Sequence, residues 1–190
     1  MQDHTLGTAL RHYANRDLAE AAREISSILD QIYETAIKRT RYKKHVDVRV
    51  VNGHDPKKDT PVGECSSEKV LAPTLAEGFT NFAPEPDCSV KESCIFCDKY
   101  AVHADEEDIR KLLSLRYLIE ELKVNMPSEG WVYRWSPYIY RIDEVLFEIK
   151  SKSPFLSSVI TRVKEEVEFG ILDDFWKDYH ETLHYLGMVS

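Results

Sequence analysis

The chain has 190 residues, enough for one domain with a substantial core. A hydrophobic share of 43% and a charged share of 31% are typical of a globular protein and argue against a disordered, collagen-like or membrane-spanning chain. The formal charge of −8 is uneven, since residues 1–60 sum to +2 and residues 61–190 to −10, which disfavours a polyanion binder along the whole chain. Because the first residues show no secretory signal, we expect a cytoplasmic protein.

A histidine and a tyrosine nine residues apart mark the beginning of the chain. His4 and Tyr13 bound the segment His-Thr-Leu-Gly-Thr-Ala-Leu-Arg-His-Tyr. This segment resembles the end of the catalytic domain of tyrosine recombinases, the phage integrase family, in which a histidine precedes the nucleophilic tyrosine at the same spacing. The resemblance implies that the Tyr13 hydroxyl attacks a DNA phosphate and forms a phosphotyrosine link. It also implies that His4 donates a hydrogen bond to a non-bridging phosphate oxygen.

The chain departs from the family pattern in two ways. Asp3 stands where the family has a glycine, and the family's first arginine, its lysine and its His-x-x-Arg all belong upstream of this segment. A phosphoryl-transfer site without those cations lacks most of its electrostatic stabilisation, so we expect no activity from this chain alone. The resemblance implies the C-terminal portion of a recombinase from a mobile element. Its implied partners are DNA and other recombinase protomers, with no membrane and no small-molecule substrate.

Residues 15–40 are predicted to form one amphipathic helix, with Asp17 as its N-cap. Apolar residues recur along it at three- and four-residue spacing: Leu18, Ala21, Ile25, Ile28, Leu29, Ile32 and Ile37. In the family that the chain resembles, the segment after the tyrosine often packs onto a neighbouring protomer, and this stripe suits that role. Candidate contacts to DNA phosphates are Arg11, Lys38, Arg39, Arg41, Lys43 and Lys44. The alternative is a solvated helix end whose cations complement the helix dipole.

The middle of the chain is a long segment with few signals of regular structure. Residues 46–51 alternate and are β-branched, which predicts a short strand. Residues 52–104 then lack helical periodicity and contain six turn or proline signals, and a loop of this length is uncommon in a compact domain. All four cysteines of the protein fall within this segment: Cys65, Cys88, Cys94 and Cys97.

The cysteine spacing favours a structural Zn²⁺ site. Cys94 and Cys97 form a Cys-x2-Cys knuckle, in which one tight turn presents two thiolates to one ion, and Cys88 and Cys65 supply the other ligands. His103 is the alternative to Cys65. Four thiolates leave no open coordination position, so the metal would stabilise the segment rather than act on a substrate. The alternative without a metal is that the four cysteines are reduced and buried. The segment as a whole resembles C-terminal extensions of integrases from mobile elements.

Helical periodicity returns from residue 105. We predict one helix from Asp105 to about residue 122, a second with Pro137 in its first turn, a third over 154–168 and a fourth over 172–186. The predicted fold class is mainly α, with a turn-rich zinc-clamped insert and one short β-hairpin. The predicted divisions are 1–41, the end of the catalytic domain with the following helix; 42–104, the zinc-binding segment; and 105–190, a helical accessory region.

The last predicted helix contains a literal H-E-x-x-H motif, His180-Glu181-Thr182-Leu183-His184, as in zinc proteases. The third-ligand position of the longer form of this motif falls on Ser190, and no Met-turn follows. We therefore prefer packing of a helix face as its interpretation. Three functions stay open at this point: the C-terminal portion of a tyrosine recombinase, a non-catalytic zinc-stabilised interaction module, and an H-E-x-x-H metalloprotease.

Overall fold

The protein is described by a computed structural model for residues 46–189, except residues 54, 68–71, 81, 82 and 127. The described residues belong to one unit, Arg39–Ser190. Several predictions lie outside the described residues: the helix over 15–40, His4, Tyr13, Arg11, Lys38, Arg39, Arg41, Lys43 and Lys44. Within the described ranges, no helix combines the length and the apolar character that crossing a bilayer requires.

The described part of the chain is mainly helical, as predicted, and carries one small sheet. Its strands are β1 (Val50–Val51), β2 (Asp59–Thr60), β3 (Gly63–Cys65) and β4 (Tyr100–His103). Its α-helices are α1 (Glu106–Glu121), α2 (Ser128–Lys152), α3 (Pro154–Glu168) and α4 (Asp174–Tyr185). Two 3-10 helices complete it, one at Lys91–Phe96 and one at Leu122–Asn125.

The sheet has the order β1-β4-β3-β2. Strands β2 and β3 form the predicted hairpin, β3 pairs antiparallel with β4, and β1 pairs parallel with β4. The strand predicted over 46–51 is correct only for its last two residues. The backbone carbonyls of Val46 and Asp47 accept hydrogen bonds from the Arg141 side chain, so this stretch is held by a helix rather than by a neighbouring strand.

Local capping signals place three helix starts. The Asp105 side chain accepts a hydrogen bond from the Asp108 backbone N–H at 3.0 Å and begins α1, as predicted. Ser153 caps α3 and Pro154 follows at its first position, where a proline loses no helical hydrogen bond. Asp173 caps α4, whose first residue, Asp174, lies two residues later than the predicted start of that helix.

The prediction that Pro137 begins a helix is wrong. Pro137 lies inside α2, nine residues after its first residue, Ser128. A proline inside a helix leaves the carbonyl four residues earlier without its helical donor. The helix nevertheless extends upstream because Trp131 and Trp135 are buried there, and burial of large aromatic side chains offsets that loss. The Trp131 indole N–H also donates to the Ile119 carbonyl of α1 at 2.8 Å.

One hydrophobic core joins the helices to the cysteine-containing segment. Helix α1 contributes fully buried residues such as Ile109 and Leu112, and it contacts α2, α3, α4 and β3. Val62 of the hairpin turn and Val102 of β4 belong to the same buried cluster. The indole N–H of Trp176 in α4 donates to the Pro61 carbonyl at 2.7 Å, so the last helix is also tied to the hairpin.

Gly63, at the start of β3, is expected to tolerate no side chain. Its φ is +145°, and a Cβ there would stand 2.6 Å from the Ala101 carbonyl oxygen of the paired strand. Gly63→Ala should therefore destabilise the protein by about 1–3 kcal/mol in urea unfolding. Gly130→Ala, in helix α2 with nothing within 4 Å, is the control and should stabilise by about 0.5–1 kcal/mol. Equal stability of Gly63→Ala and the wild type would contradict this packing.

Candidate metal centre

The side chains of all four cysteines line one small cavity of about 40 Å³. Cys65 ends β3, Cys88 lies in the turn before the first 3-10 helix, Cys94 lies within that helix and Cys97 caps it. None of the four forms a disulfide. They come from stretches up to 32 residues apart in the sequence, so it is the fold that brings them to one place.

The Cys94–Cys97 knuckle is a tight backbone turn. The Cys97 N–H donates to the Cys94 carbonyl at 3.0 Å, and the Tyr100 N–H donates to the Cys97 carbonyl at 3.1 Å. Cys97 also forms an isolated antiparallel bridge with Leu75. Both ligand candidates are thus held on an ordered backbone turn.

The turn that carries Cys88 is fixed by a buried serine. The Ser93 hydroxyl accepts a hydrogen bond from the Asp87 N–H at 2.8 Å and lies 2.6 Å from the Val90 carbonyl, to which it can donate. The Lys91 ammonium donates to the Cys88 carbonyl at 2.7 Å. Because these bonds order the backbone on both sides of Cys88, the thiol is presented from a defined turn although the residue is exposed.

Cys65 reaches the cavity from the sheet. It lies opposite Tyr100 in the β3–β4 register, and its N–H donates to the Lys58 carbonyl at 2.8 Å. The buried Tyr100 hydroxyl donates to the Val62 carbonyl at 2.8 Å. The hairpin and β4 therefore hold Cys65 against the knuckle through backbone pairing.

The cavity favours neutral thiols. Burial and, to a smaller extent, the other three cysteines raise the pKa of Cys94 to about 11, and the nearby Lys91 opposes this only in part. Burial also raises the pKa of Cys97. A reactive cysteine needs the opposite shift, so these side chains do not resemble activated nucleophiles. A shared cation is what would turn such a cluster into thiolates.

The donor set fits Zn²⁺ in kind and number. As the side chains are placed, no group of three or more His, Cys, Asp or Glu residues in the described part of the chain is arranged to hold a metal ion. The four thiols nevertheless share a cavity that is larger than one water-sized solute requires, roughly 10–15 Å³. In the kind and number of their donor atoms, the four thiols are candidate ligands for a closed structural zinc site.

His103 is engaged elsewhere and does not line this cavity. Its Nδ1 lies 3.0 Å from an oxygen of Asp108, and its Nε2 lies 3.2 Å from the Gly53 carbonyl and 3.2 Å from a carboxylate oxygen of Glu64. Both ring nitrogens are therefore committed to partners outside the cysteine cluster. This geometry favours Cys65 over His103 as the fourth ligand.

Asp108 is the centre of a buried ionic network that the sequence pattern did not reveal. It accepts from the His103 backbone N–H at 2.7 Å and from the Lys111 ammonium at 3.1 Å. Lys111 is itself buried and also contacts Asp59 of β2 at 2.6 Å and Glu107 at 2.9 Å. The run from Asp105 to Asp108 reads as a charged helix start, yet its last member ties α1 to β4 directly and to β2 through Lys111. The sequence signal that could have revealed this network is the histidine five residues before Asp108 and the lysine three residues after it.

The His103 contacts predict a pH-dependent stability. Burial opposes the charged ring, but hydrogen bonding to Asp108 and its charge outweigh burial and raise the pKa of His103 above 6.5. Glu64, Asp105 and Lys111 are the other charged groups of this region. A raised folded-state pKa stabilises the protein fully below about pH 6.5, and this contribution is lost as the pH rises through the folded value. Urea unfolding of the wild type and His103→Gln between about pH 6 and pH 9 should show their difference shrinking as the pH rises. A constant difference would contradict this.

The H-E-x-x-H residues lie on a packing helix. Within α4, Trp176 and Leu183 form the buried face. The His180 ring packs beside Tyr117 with centroids 6.3 Å apart, and its buried Nε2 has no hydrogen-bond partner. His184 is exposed, and no described residue joins the two histidines as a third ligand. The preferred interpretation of this motif as helix packing fits this arrangement.

No protein-family model, no curated protein and no solved structure matches the chain. The resemblance to tyrosine recombinases through His4 and Tyr13 therefore stays a prediction. The structural observation that bears on function is that the four cysteines line one cavity.

Proposed function

We propose that the chain is the C-terminal portion of a site-specific tyrosine recombinase and that residues 46–189 form its zinc-clamped accessory module. The observation that carries the module is the shared cavity of Cys65, Cys88, Cys94 and Cys97. A four-thiolate site has no position for a substrate, so the ion would hold the fold and do no chemistry. Its binding free energy becomes folding free energy for a segment with short strands and many turns.

The accessory module is proposed to contact a partner protomer and not DNA. Residues 61–190 carry a formal charge of −10, which repels a phosphate backbone. DNA contact is assigned instead to the start of the chain, where Tyr13 is the proposed nucleophile, His4 the phosphate ligand, and Arg11 with the basic run 38–44 the phosphate contacts. A cytoplasmic location, where thiols stay reduced, suits four free cysteines.

The second candidate is a zinc-stabilised interaction module with no role on nucleic acid. The observation that favours it is the same acidic charge, together with a zinc site that needs no recombinase to explain it. The two candidates share the cysteine cluster and differ only in what Tyr13 does.

Metal content tests the zinc site. Elemental analysis of the purified wild type should give about one Zn²⁺ per chain, as expected for one four-ligand site. Cys97→Ser should lose most of it, while His184→Ala, which changes the H-E-x-x-H motif, should keep it. Zinc that is lost with His184→Ala and kept with Cys97→Ser would move the metal to α4 and overturn the proposal.

Covalent capture of DNA tests the role of Tyr13. The chain, expressed with its native upstream catalytic residues, should form a covalent adduct with a nicked DNA substrate that traps the phosphotyrosine. Tyr13→Phe should abolish the adduct, and Tyr33→Phe, twenty residues further along the sequence, is the control that should retain it. Absence of any adduct with the wild type would favour the second candidate, and an adduct formed by Tyr13→Phe would exclude this tyrosine as the nucleophile.

A further inference from the structure

Arg141 of helix α2 is a buried cation whose donors reach two separate parts of the chain. Its side chain is 2% exposed. Its Nε donates to the Ile95 carbonyl at 3.1 Å, and its Nη1 donates to the Val46 carbonyl at 2.9 Å. A longer bond of 3.5 Å joins its Nη2 to the Asp47 carbonyl. One planar guanidinium thus bridges two backbone segments some fifty residues apart in the sequence.

One of these segments is the metal-binding knuckle itself. Ile95 lies between Cys94 and Cys97, so the bond to its carbonyl fixes the backbone that presents both thiols. The other segment, Val46 and Asp47, precedes strand β1 of the sheet. Side chains that hold metal ligands in position commonly change metal affinity when they are removed, although they do not touch the ion.

The environment of Arg141 is specialised for this bridge. Burial lowers the pKa of Arg141 to about 10, so the group stays charged at neutral pH. Its nearest carboxylate oxygen, on Glu144, is 3.3 Å away, and the ring of Phe79 lies 5.0 Å from the guanidinium carbon. Burying a cation against mainly carbonyl groups costs free energy, and a packed apolar side chain would avoid that cost. Only a planar fork of N–H donors reaches these carbonyls together, which a lysine cannot do.

We infer that Arg141 is a positioning residue that couples zinc binding at the cysteine cluster to the anchoring of the chain at Val46 and Asp47. The inference rests on the proposed zinc site. Coupling between two sites is reciprocal. Bound zinc should therefore stabilise the hydrogen bonds from Arg141 to Val46 and Asp47, and those bonds should in turn raise the affinity of the cysteine cluster for zinc.

The test uses Arg141→Met and Arg141→Lys, with Arg134→Met as the matched control on the exposed side of the same helix. Zinc affinity is measured by competition with a chelator of known affinity. Arg141→Met should weaken zinc binding about 10–100-fold, Arg141→Lys should weaken it less, and the control should leave it unchanged. Far-UV circular dichroism checks folding, and Arg141→Lys carries the test where Arg141→Met does not fold.

Amide hydrogen exchange in the peptide that covers residues 46–51 supplies a second readout. Zinc removal from the wild type should speed exchange there about tenfold or more, and zinc removal from the Arg141 variants should add little to an exchange rate that is already high. Unchanged zinc affinity in both variants, or an unchanged effect of zinc on exchange, would overturn the coupling while the zinc site stands. A wild type that binds no zinc would overturn the zinc site and the coupling with it.

Discussion

Replacing Asp108 with alanine is expected to destabilise the protein by about 3–5 kcal/mol, because the change leaves partners of a buried ionic network without their counter-charge. Asp108 is 1% exposed. Its removal deprives the His103 ring and backbone N–H of their acceptor and Lys111 of its buried partner. The loss also loosens the connection from α1 to the sheet that carries Cys65. Urea unfolding followed by tryptophan fluorescence measures the change.

Glu107→Ala is the control for this prediction. Glu107 also contacts Lys111, at 2.9 Å, but its side chain is 60% exposed, so the expected loss is below about 1 kcal/mol. The two variants remove a carboxylate from the same lysine and differ in burial. Similar losses of stability in both would contradict the account of Asp108 as the centre of the network.

Trp176→Ala is expected to destabilise the protein by about 3–5 kcal/mol as well, through a cavity in the core. Trp176 is 2% exposed and packs edge to face against Phe175 and Tyr179. Its indole N–H also donates the hydrogen bond that joins α4 to the Pro61 carbonyl of the hairpin. The variant should therefore release α4 from the hairpin, which thermal unfolding and amide exchange in residues 174–185 would detect.

Two substitutions separate the contributions at this position. Trp176→Phe keeps an aromatic ring and removes the indole N–H. It should therefore lower the stability less than Trp176→Ala does, and loss of the hydrogen bond should account for about 1 kcal/mol of the decrease. Tyr185→Ala, in the same helix but 89% exposed, should change stability by less than about 0.5 kcal/mol. A loss of stability with Tyr185→Ala as large as that expected for Trp176→Ala, or no loss with Trp176→Ala, would show that Trp176 does not hold α4 in place.

Local signals predict much of this fold. The Asp105 cap, the helix start at Pro154 and the hairpin over β2 and β3 depend on residues within a few positions of one another. The sequence pattern predicts the first two by residue, and it predicts one short hairpin without its position. The helix through Pro137 and the parallel pairing of β1 with β4 depend on distant residues. The helix needs the burial of Trp131 and Trp135, the first of which bonds to the Ile119 carbonyl of α1. The strand pairing joins Val50 to Val102 across about fifty residues.

The candidate site divides in the same way. The Cys-x2-Cys spacing predicts a knuckle because one turn determines its geometry. The choice between Cys65 and His103 cannot be made from spacing, since it depends on Glu64 and Asp108 occupying the histidine ring from two different elements. Arg141 has no sequence signature at all. An arginine in an amphipathic helix is usually solvated, and only the fold shows that this one is buried on the Ile95 carbonyl.

The most direct test of the central claim is X-ray absorption at the zinc edge of the purified protein. We expect four sulfur ligands at about 2.3 Å and no nitrogen or oxygen ligand. Cys65→Ser should replace one sulfur by a lighter ligand, whereas His103→Gln should leave all four sulfurs in place. A wild-type spectrum with nitrogen or oxygen ligands at about 2.0–2.1 Å in place of sulfur, or a protein that binds no zinc, would contradict the four-thiolate site.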